Sequence, residues 1–349
     1  MNAFDKLCSM LKDFSEEILN AFIDLAEQIK GDLESSVDIE KPVKAISDAV
    51  KPAKVTYTLP SCPKCSGEYV VKNGHKDNIQ RFLCKDCGRT FAITNNTIME
   101  YSHFGQEAWE QAIADTLDGK ISLDKTAEKL GTTHKTAFFM RHKILMALDK
   151  YAEENPTVLR NISELDETYV LESQKGIKFG PDAPREPRKH GAIASKRGIS
   201  DEQICIMTGV QRDGGPAFAT TCNRAHPSKD EIVEAFSDHI EAGSVAFTDG
   251  LKGYKHIESV VDCIVESVPL DEQKATKTAN LNNVNGFHSH IKELYNHYRG
   301  VATKYLNRYN TLFSVTYRSI SIKTLTKKIL GKLGFNTYNN VKNNNLLMI

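Results

Sequence analysis

The 349-residue sequence contains no long apolar run. A helix that crosses a bilayer needs roughly 18 or more consecutive apolar residues, and no segment offers them. The first residues include Asp5 and Lys6 and are not followed by the apolar core of a signal peptide. We therefore expect a cytoplasmic protein without a membrane partner.

Net charge is also absent, since 45 Lys and Arg residues balance 45 Asp and Glu residues. Neutrality alone argues against a nucleic-acid partner, but the charge is unevenly distributed. Residues 1–50 have 11 acidic and 5 basic side chains, a balance of −6, whereas residues 292–332 have 9 basic and 1 acidic, a balance of +8. Residues 175–197 hold 7 basic and 2 acidic side chains. Such a stretch can follow a phosphate backbone or form a solvated loop, and its candidate DNA contacts are Lys189, Lys196 and Arg197.

Cysteines are few, and half of them are scattered. The chain has eight, of which four lie apart at Cys8, Cys205, Cys222 and Cys263. A disulfide framework needs a denser pattern, so we expect a reducing compartment and no disulfides. With 40% apolar residues, the chain is long enough for two or three domains with a sizeable core.

The other four cysteines form two Cys-x-x-Cys pairs. Cys62 and Cys65 are followed, after eighteen residues, by Cys84 and Cys87. Two such pairs about 15–20 residues apart are the ligand pattern of a tetrahedral zinc site. Alternating segments between the pairs predict two short strands, so we expect a zinc ribbon that holds structural Zn²⁺. A redox-active dithiol is the alternative, although one pair would suffice for it.

The N-terminal region predicts a helix and then a linker. Apolar residues recur at three- and four-residue steps over 4–30, which is the period of an amphipathic helix. Its polar face is acidic, and it could dimerise or pack on a neighbouring domain. Pro42 and Pro52 within residues 38–56 indicate a linker.

Residues 106–150 are strongly helical in pattern and contain a candidate helix-turn-helix. Gly131 falls where the turn needs a permissive backbone, and Thr132 or Thr133 can cap the second helix. A second helix of this kind offers side chains to the DNA major groove, which here are His134, Lys135 and Arg141. A plain helical hairpin is the alternative.

From residue 160 the pattern changes to short alternating segments. Strands are predicted at 161–171, 189–195, 203–211, 217–222, 244–248 and 262–267, and helices or helical turns at 228–241, 250–258, 281–300 and 303–319. Early strands followed by alternating helix and strand predict an α/β fold in which helices cover a mixed sheet. This order matches the ribonuclease-H-like layout.

Polar residues in this region predict a metal site. Asp166 and Asp249 each end an apolar, β-like stretch, while Asn285 and Lys292 lie seven residues, about two turns, apart on one predicted helix. Carboxylate and amide oxygens suit Mg²⁺ or Mn²⁺, and a pair of such ions serves phosphoryl transfer. Separately, each residue has an ordinary explanation as a turn, strand-end or helix-start residue.

Together these motifs resemble zinc-ribbon bacterial insertion-sequence transposases of the DDE, retroviral-integrase-like superfamily, in particular the ISXO-like group. The resemblance covers roughly residues 58–320. It rests on the cysteine pairs with Cys-Gly-Arg-Thr-Phe, on Leu-Asp-Glu-Thr-Tyr, on Thr-Asp-Gly, and on Asn-Asn-Val-Asn-Gly-Phe followed by Lys292. The family usually has glutamate where this chain has Asn285, so the chain resembles an Asp-Asp-Asn-Lys variant.

The resemblance implies a metal-dependent transposase. Such an enzyme hydrolyses phosphodiester bonds at transposon ends and uses the freed 3′-hydroxyl to attack target DNA. By analogy Asp166 would bridge two Mg²⁺ or Mn²⁺ ions, Asp249 and Asn285 would each ligate one, and Lys292 would hold DNA; His288 is a weaker candidate for orienting water. The sequence patterns and the resemblance together divide the chain into 1–56 (amphipathic helix and linker), 57–98 (zinc ribbon), 99–155 (helix-turn-helix), 156–322 (ribonuclease-H-like catalytic domain) and 323–349 (basic, Asn-rich tail).

The partners implied are DNA and further copies of the chain. Because two ends must be cut and joined together, we expect a homodimer or higher oligomer on the terminal inverted repeats and target DNA. Two other functions stay open. One is a catalytically inactive, zinc-dependent DNA-binding protein derived from a transposase, and the other is a ribonuclease-H-like nuclease that cuts without joining.

Overall fold

The fold is known from a computed structural model. It describes residues 60–76, 79–92, 94–176, 194–268, 278–317 and 322–330. The predicted N-terminal helix, the linker at 38–56, Lys189 and most of the C-terminal tail lie outside the described residues. The chain divides into two compact units: one includes the cysteine pairs within Met1–Lys72 and Leu83–Arg89, and the other comprises Asn73–Phe82 and the chain from Thr90 onward.

The cysteine pairs lie at or beside the ends of short strands. These strands are β1 (Val70–Lys76), β2 (Ile79–Cys84) and β3 (Thr90–Ala92), in the order β1-β2-β3. Gly88 has a φ of +70°, in the left-handed region that glycine tolerates, and its amide donates to the carbonyl of Cys84 at 3.0 Å. The two strands predicted between the cysteine pairs are confirmed as β1 and β2.

Three helices follow in the second unit. They are α1 (Gln106–Asp118), α2 (Leu123–Lys129) and α3 (His134–Glu154). Thr133 caps α3 by accepting a hydrogen bond from the amide of Thr136 at 3.2 Å. Gly131 has a φ of +59° in the turn between α2 and α3. The predicted helical pair is confirmed, and its DNA-binding role stays a prediction.

A five-stranded mixed sheet follows these helices. Its strands are β4 (Ile162–Leu171), β5 (Gln203–Gln211), β6 (Ala217–Arg224), β7 (Val245–Thr248) and β8 (Ile264–Ser267), in the order β6-β5-β4-β7-β8. β5 is antiparallel to β4 and β6, and β7 is parallel to β4 and β8. Helix α4 (Lys229–Phe236) connects β6 to β7, and a 3₁₀ helix (Lys252–Ser259) connects β7 to β8.

Helices cover both faces of this sheet, which confirms the α/β class. On one face Leu165 and Met207 pack with residues of α4 and the 3₁₀ helix. On the other face Ile206 and Val210 pack with α5 (Asn282–His297) and α6 (Leu306–Thr316). Apolar residues of α1, α3 and α7 (Ile322–Leu330) belong to this second core. Several helices therefore bury the face of the sheet that packs against α5.

Two further predictions concern a strand at 189–195 and membrane-spanning helices. The predicted strand at 189–195 lies mostly outside them, and Ala194 and Ser195 at its end are not in a strand. None of the helices in the described ranges combines the length and the hydropathy that crossing a bilayer requires.

Candidate active site

The two predicted aspartates lie side by side at one end of the sheet. β4 and β7 pair in parallel, with Glu164 opposite Phe247. Continuing this register by two residues places Asp249 beside Asp166. β7 ends one residue before Asp249, as predicted, whereas β4 continues for five residues beyond Asp166. The prediction that Asp166 ends a strand is therefore wrong. Parallel pairing of two strands thus brings together two carboxylates that are 83 residues apart in sequence.

A third carboxylate, Glu167, joins the two aspartates. Neighbouring residues of a strand point to opposite faces, so Asp166 faces α5 and Glu167 faces the 3₁₀ helix. Both reach Asp249 at the sheet end, and one carboxylate oxygen from each of the three lies within 4.8 Å of the others. Glu167 accepts a hydrogen bond from the hydroxyl of Tyr254 at 2.8 Å, and Asp249 accepts one from the amide of Leu251 at 3.0 Å. The cluster is therefore held by the protein's own hydrogen bonds.

Crowding and burial shift the acidity of this cluster. Burial, followed by the charges of Glu167 and Asp249, raises the pKa of Asp166 to about 7 from an ordinary 3.8, and the positive charge of Lys292 opposes this rise. Burial also raises the pKa of Glu167, against the effect of the hydrogen bond from Tyr254. Like charges held this close favour a proton or a cation between them. Oxygen clusters of this kind are what Mg²⁺ and Mn²⁺ bind.

Helix α5 contacts Asp166 through His288. Nδ1 of His288 lies 3.8 Å from Oδ2 of Asp166. Nε2 lies 2.6 Å from the hydroxyl of Thr208, which donates to the carbonyl of Asp166 at 2.8 Å. This pattern assigns the ring proton to Nε2, so the lone pair of Nδ1 faces Asp166. Burial, followed by the charge of Lys292, lowers the pKa of His288 to about 4, and the ring is neutral at pH 7.

Asn285 and Lys292 lie on the edge of α5 that borders His288. Asn285 precedes His288 by three residues and Lys292 follows it by four, so both lie about one turn away, and both are exposed. The charge of Lys292 acts on Asp166. No hydrogen bond among the described residues joins the side chain of Asn285 to a carboxylate. The apolar stripe predicted for this helix is buried, and consists of Val284, Phe287, Ile291 and Leu294.

The four ribbon cysteines also converge. Their Sγ atoms all lie within 4.8 Å of one another, with Cys62 3.6 Å from Cys87 and Cys65 3.6 Å from Cys84. Sulfur ligands around tetrahedral zinc, with Zn–S bonds near 2.3 Å, are about 3.8 Å apart. The sulfur positions therefore fit a four-thiolate metal cage.

The predicted DNA contacts on α3 divide into accessible and inaccessible side chains. His134 and Lys135 are exposed at the start of the helix. Arg141 is only 3% exposed, donates to the carbonyl of Ile121 at 2.6 Å, and lies over the ring of Tyr298. The prediction that Arg141 reaches the major groove is therefore wrong, because its guanidinium is buried against neighbouring helices.

The basic stretch at 175–197 is described only at its two ends. Lys196 and Arg197 are exposed, and Lys189 lies outside the described residues. Lys175 donates to the carbonyls of Arg299 and Gly300, at 2.6 and 2.7 Å, just beyond the end of α5. Cations stabilise helix C-termini, so this lysine serves the fold.

Sequence reasoning missed Glu167 as a member of the carboxylate cluster. Adjacent strand residues normally point to opposite faces, so a metal site that uses both Asp166 and Glu167 is not expected from alternation. A signal was present, because Asp166 and Glu167 are two consecutive carboxylates within one predicted strand. Tyr254, which binds Glu167, lies five residues after Asp249 and gave no recognisable signal.

The shifted pKa of Asp166 predicts an unusual pH dependence of stability. An unfolded chain loses this proton near pH 4, whereas the folded chain keeps it up to about pH 7. The folded state therefore binds more protons in this window, and the free energy of unfolding falls as the pH rises through it. At pH 8, without Mg²⁺ or Mn²⁺, Asp166→Asn should be more stable than wild type by about 2–4 kcal/mol.

This effect can be measured by urea unfolding at pH 5 and pH 8. The single tryptophan, Trp109, is buried and reports unfolding by its fluorescence. The difference between variant and wild type should be larger at pH 8. An equal difference at both pH values would contradict the pKa shift.

Comparison with known proteins points to one class. Residues 158–319, which include the carboxylate cluster and α5, match the family model of the ISXO2-like transposase domain. A Halobacterium salinarum protein, described as an uncharacterized protein in transposable element ISH50, is 26% identical over 198 residues, or 56% of this chain and 64% of that protein. The chain thus spans less than two thirds of this relative's length. Both similarities are to proteins of transposable elements.

Two solved structures are weakly similar. A chain of the simian T-cell lymphotropic virus intasome, in complex with PP2A regulatory subunit B56 gamma, has a TM-score of 0.29 and 8% identity, covering 47% of this chain and 51% of that one. A chain of a pre-cleavage Mos1 transpososome has a TM-score of 0.25 and 10% identity, covering 60% of this chain and 72% of that one. With TM-scores below 0.3, these two similarities support no inference about the fold or the function of this chain.

Proposed function

We propose that this protein is the DNA transposase of an insertion sequence. It cleaves phosphodiester bonds at transposon ends and transfers the freed 3′-hydroxyl to target DNA. Zinc occupies the cysteine cage, and two Mg²⁺ or Mn²⁺ ions bind at the carboxylates. The observation that carries this proposal is the convergence of Asp166 and Glu167, in the middle of β4, with Asp249 at the end of β7.

Each residue of the site has a role that its position supports. When bound, the two cations activate the attacking oxygen and stabilise the leaving one. Asp166 and Asp249 would hold the ions together with Glu167, since one oxygen of each lies within 4.8 Å of the others. Asn285 offers only a neutral amide oxygen, and Glu167 supplies the negative charge that an amide lacks. Lys292 holds a DNA phosphate near the scissile bond.

DNA binding is assigned to exposed basic and polar groups outside the carboxylate cluster. His134 and Lys135 contact the transposon end from the start of α3, with the ribbon as a second contact. Lys196 and Arg197 follow the phosphate backbone. Two ends are processed together, so the active species is a homodimer or higher oligomer on DNA.

A joining assay tests this function. Purified protein is mixed with labelled duplex from either flank of its gene, with a target plasmid, and with Mg²⁺ or Mn²⁺. We expect cation-dependent 3′-end cleavage and transfer of the label to the plasmid. Cleavage without transfer would indicate a nuclease, and binding without either would indicate a DNA-binding regulator.

The variant Asn285→Ala tests whether the side-chain amide of Asn285 acts as a cation ligand. Removal of the amide should slow joining by roughly 10²-fold, because a fixed oxygen near the reacting phosphate is lost. Asn296→Ala is the matched control, since Asn296 is exposed on the same helix three turns away. Wild-type joining rates in Asn285→Ala would remove Asn285 from the site.

A further inference from the structure

One buried carboxylate beside the site is left without a role by the chemistry above. Glu164 lies on β4, two residues before Asp166, and so points to the same face of the sheet. Its side chain is fully buried. It accepts hydrogen bonds from Nε of Arg212 at 2.8 Å, from the amide of Asn283 at 2.7 Å and from the amide of Val284 at 3.0 Å. A fourth bond comes from the side-chain amide of Asn283, at 2.9 Å.

Arg212 extends this contact to the chain that enters α5. Its two terminal nitrogens donate to the carbonyls of Thr278 and Asn280, at 2.6 and 2.7 Å. Its guanidinium also lies over the ring of Phe247, 4.5 Å from the centroid. Glu164 and Arg212 therefore hold both the entering segment and the first turn of α5. We call these two residues the α5 clamp.

The clamp sets the register of α5 on β4. Glu164 binds the amides of residues 283 and 284, and Asp166, two residues further along the strand, faces His288 in the next helical turn. Asn285 directly follows the clamped amides. A helix is stiff and rises about 1.5 Å per residue, so a shift of its first turn moves Asn285 and Lys292 together relative to the carboxylate cluster.

We propose that Glu164, acting with Arg212, is a positioning residue of the active site. It holds α5 so that Asn285 and Lys292 face Asp166 and Asp249. This inference rests on the proposed function, since the positioned groups act in phosphoryl transfer. Residues that orient metal ligands typically contribute about 10- to 100-fold to activity, and a 1 Å displacement can cost about 10²-fold.

Glu164→Gln tests the inference by joining kinetics. Glutamine keeps the shape and one acceptor oxygen but loses the charge and the second acceptor. We expect the joining rate to fall about 10- to 100-fold. The double variant with Asn285→Ala should lose less than the product of the two single losses, because the clamp acts in part through that residue. Losses that multiply in the double variant would overturn the proposal.

Glu172→Gln is the matched control. Glu172 follows the same strand and pairs with Arg224 at 2.6 Å, so its loss also breaks an ion pair on this sheet. We expect its joining rate to stay within about twofold of wild type. A loss equal to that of Glu164→Gln would show that any such pair has this effect, which overturns the proposal.

Amide hydrogen exchange separates this proposal from the proposed function. Exchange at Asn283 and Val284 should become at least about tenfold faster in Glu164→Gln, while amides near Ile291 stay unchanged. If the wild type neither cleaves nor joins DNA but exchange responds in this way, the proposed function fails, while the hold of Glu164 on the first turn of α5 stands. Unchanged exchange overturns the clamp whatever the activity. Should Glu164→Gln not fold, Arg212→Lys, which loses the two carbonyl contacts, gives the same readouts.

Discussion

Replacement of Asp249 by asparagine is expected to abolish cleavage and joining, with rates at least about 10³-fold lower. Asparagine keeps an oxygen that can accept the hydrogen bond from the amide of Leu251, so the turn after β7 should persist. It loses the negative charge and one ligand oxygen. Because Asp249 completes the cluster with Asp166 and Glu167, this loss removes a cation ligand at the point where the two strands meet.

The Asp249→Asn variant distinguishes two roles for Asp249, that of a cation ligand and that of a turn cap. If Asp249 served only to cap the turn before Leu251, asparagine would replace it with little effect. Joining is measured on labelled DNA with Mn²⁺, and Mn²⁺ binding is measured on the protein alone. Asp262→Asn, which changes an exposed carboxylate just before β8, is the control and should act as wild type. Full activity in Asp249→Asn would assign Asp249 to the turn.

Replacement of Cys84 by serine is expected to unfold the ribbon. A small unit has too little apolar surface to fold without a staple, and structural zinc contributes on the order of 10–16 kcal/mol in comparable small folds. Cys84 is fully buried and 3.6 Å from Cys65. The variant should lose its bound zinc, and residues 60–89 should become sensitive to protease.

The rest of the chain should survive this change. The residues from Thr90 onward include two hydrophobic cores to which the ribbon contributes no residue, so the unfolding reported by Trp109 should be unchanged. Cys263→Ser, outside the cage, is the control and should keep one zinc per chain by elemental analysis. A Cys84→Ser protein with full zinc content and a protease-resistant ribbon would overturn the four-thiolate cage.

The strands and helices could be predicted from the sequence because their signals are local. Alternation at 203–211 gave a strand with the observed bounds, and the pattern at 217–222 missed the end of β6 by two residues. Helix ends were less accurate, since the helix predicted at 228–241 ends at Phe236. Periodicity reports which face is apolar, whereas a helix end depends on the hydrogen bonds of its last turn.

The accessibility of charged side chains could not be predicted in this way. Arg141 and Lys135 lie on the same helix and have the same charge, yet Arg141 is buried and Lys135 is exposed. The difference arises because Arg141 meets Tyr298 and the carbonyl of Ile121, which are distant in sequence. Charge in a helix pattern therefore indicates a candidate DNA contact, and packing decides whether it is available.

The sequence by itself determined the cysteine cage, the order of strands and helices, and the two aspartates as site residues, although only Asp249 lies at a strand end. Each depends on spacing or periodicity over a few tens of residues. Tertiary structure alone decided that Glu167 joins the aspartates and that Glu164 holds α5 beside them. Both outcomes follow from the register of β4 against β7 and α5, which is set by contacts between residues more than 80 positions apart.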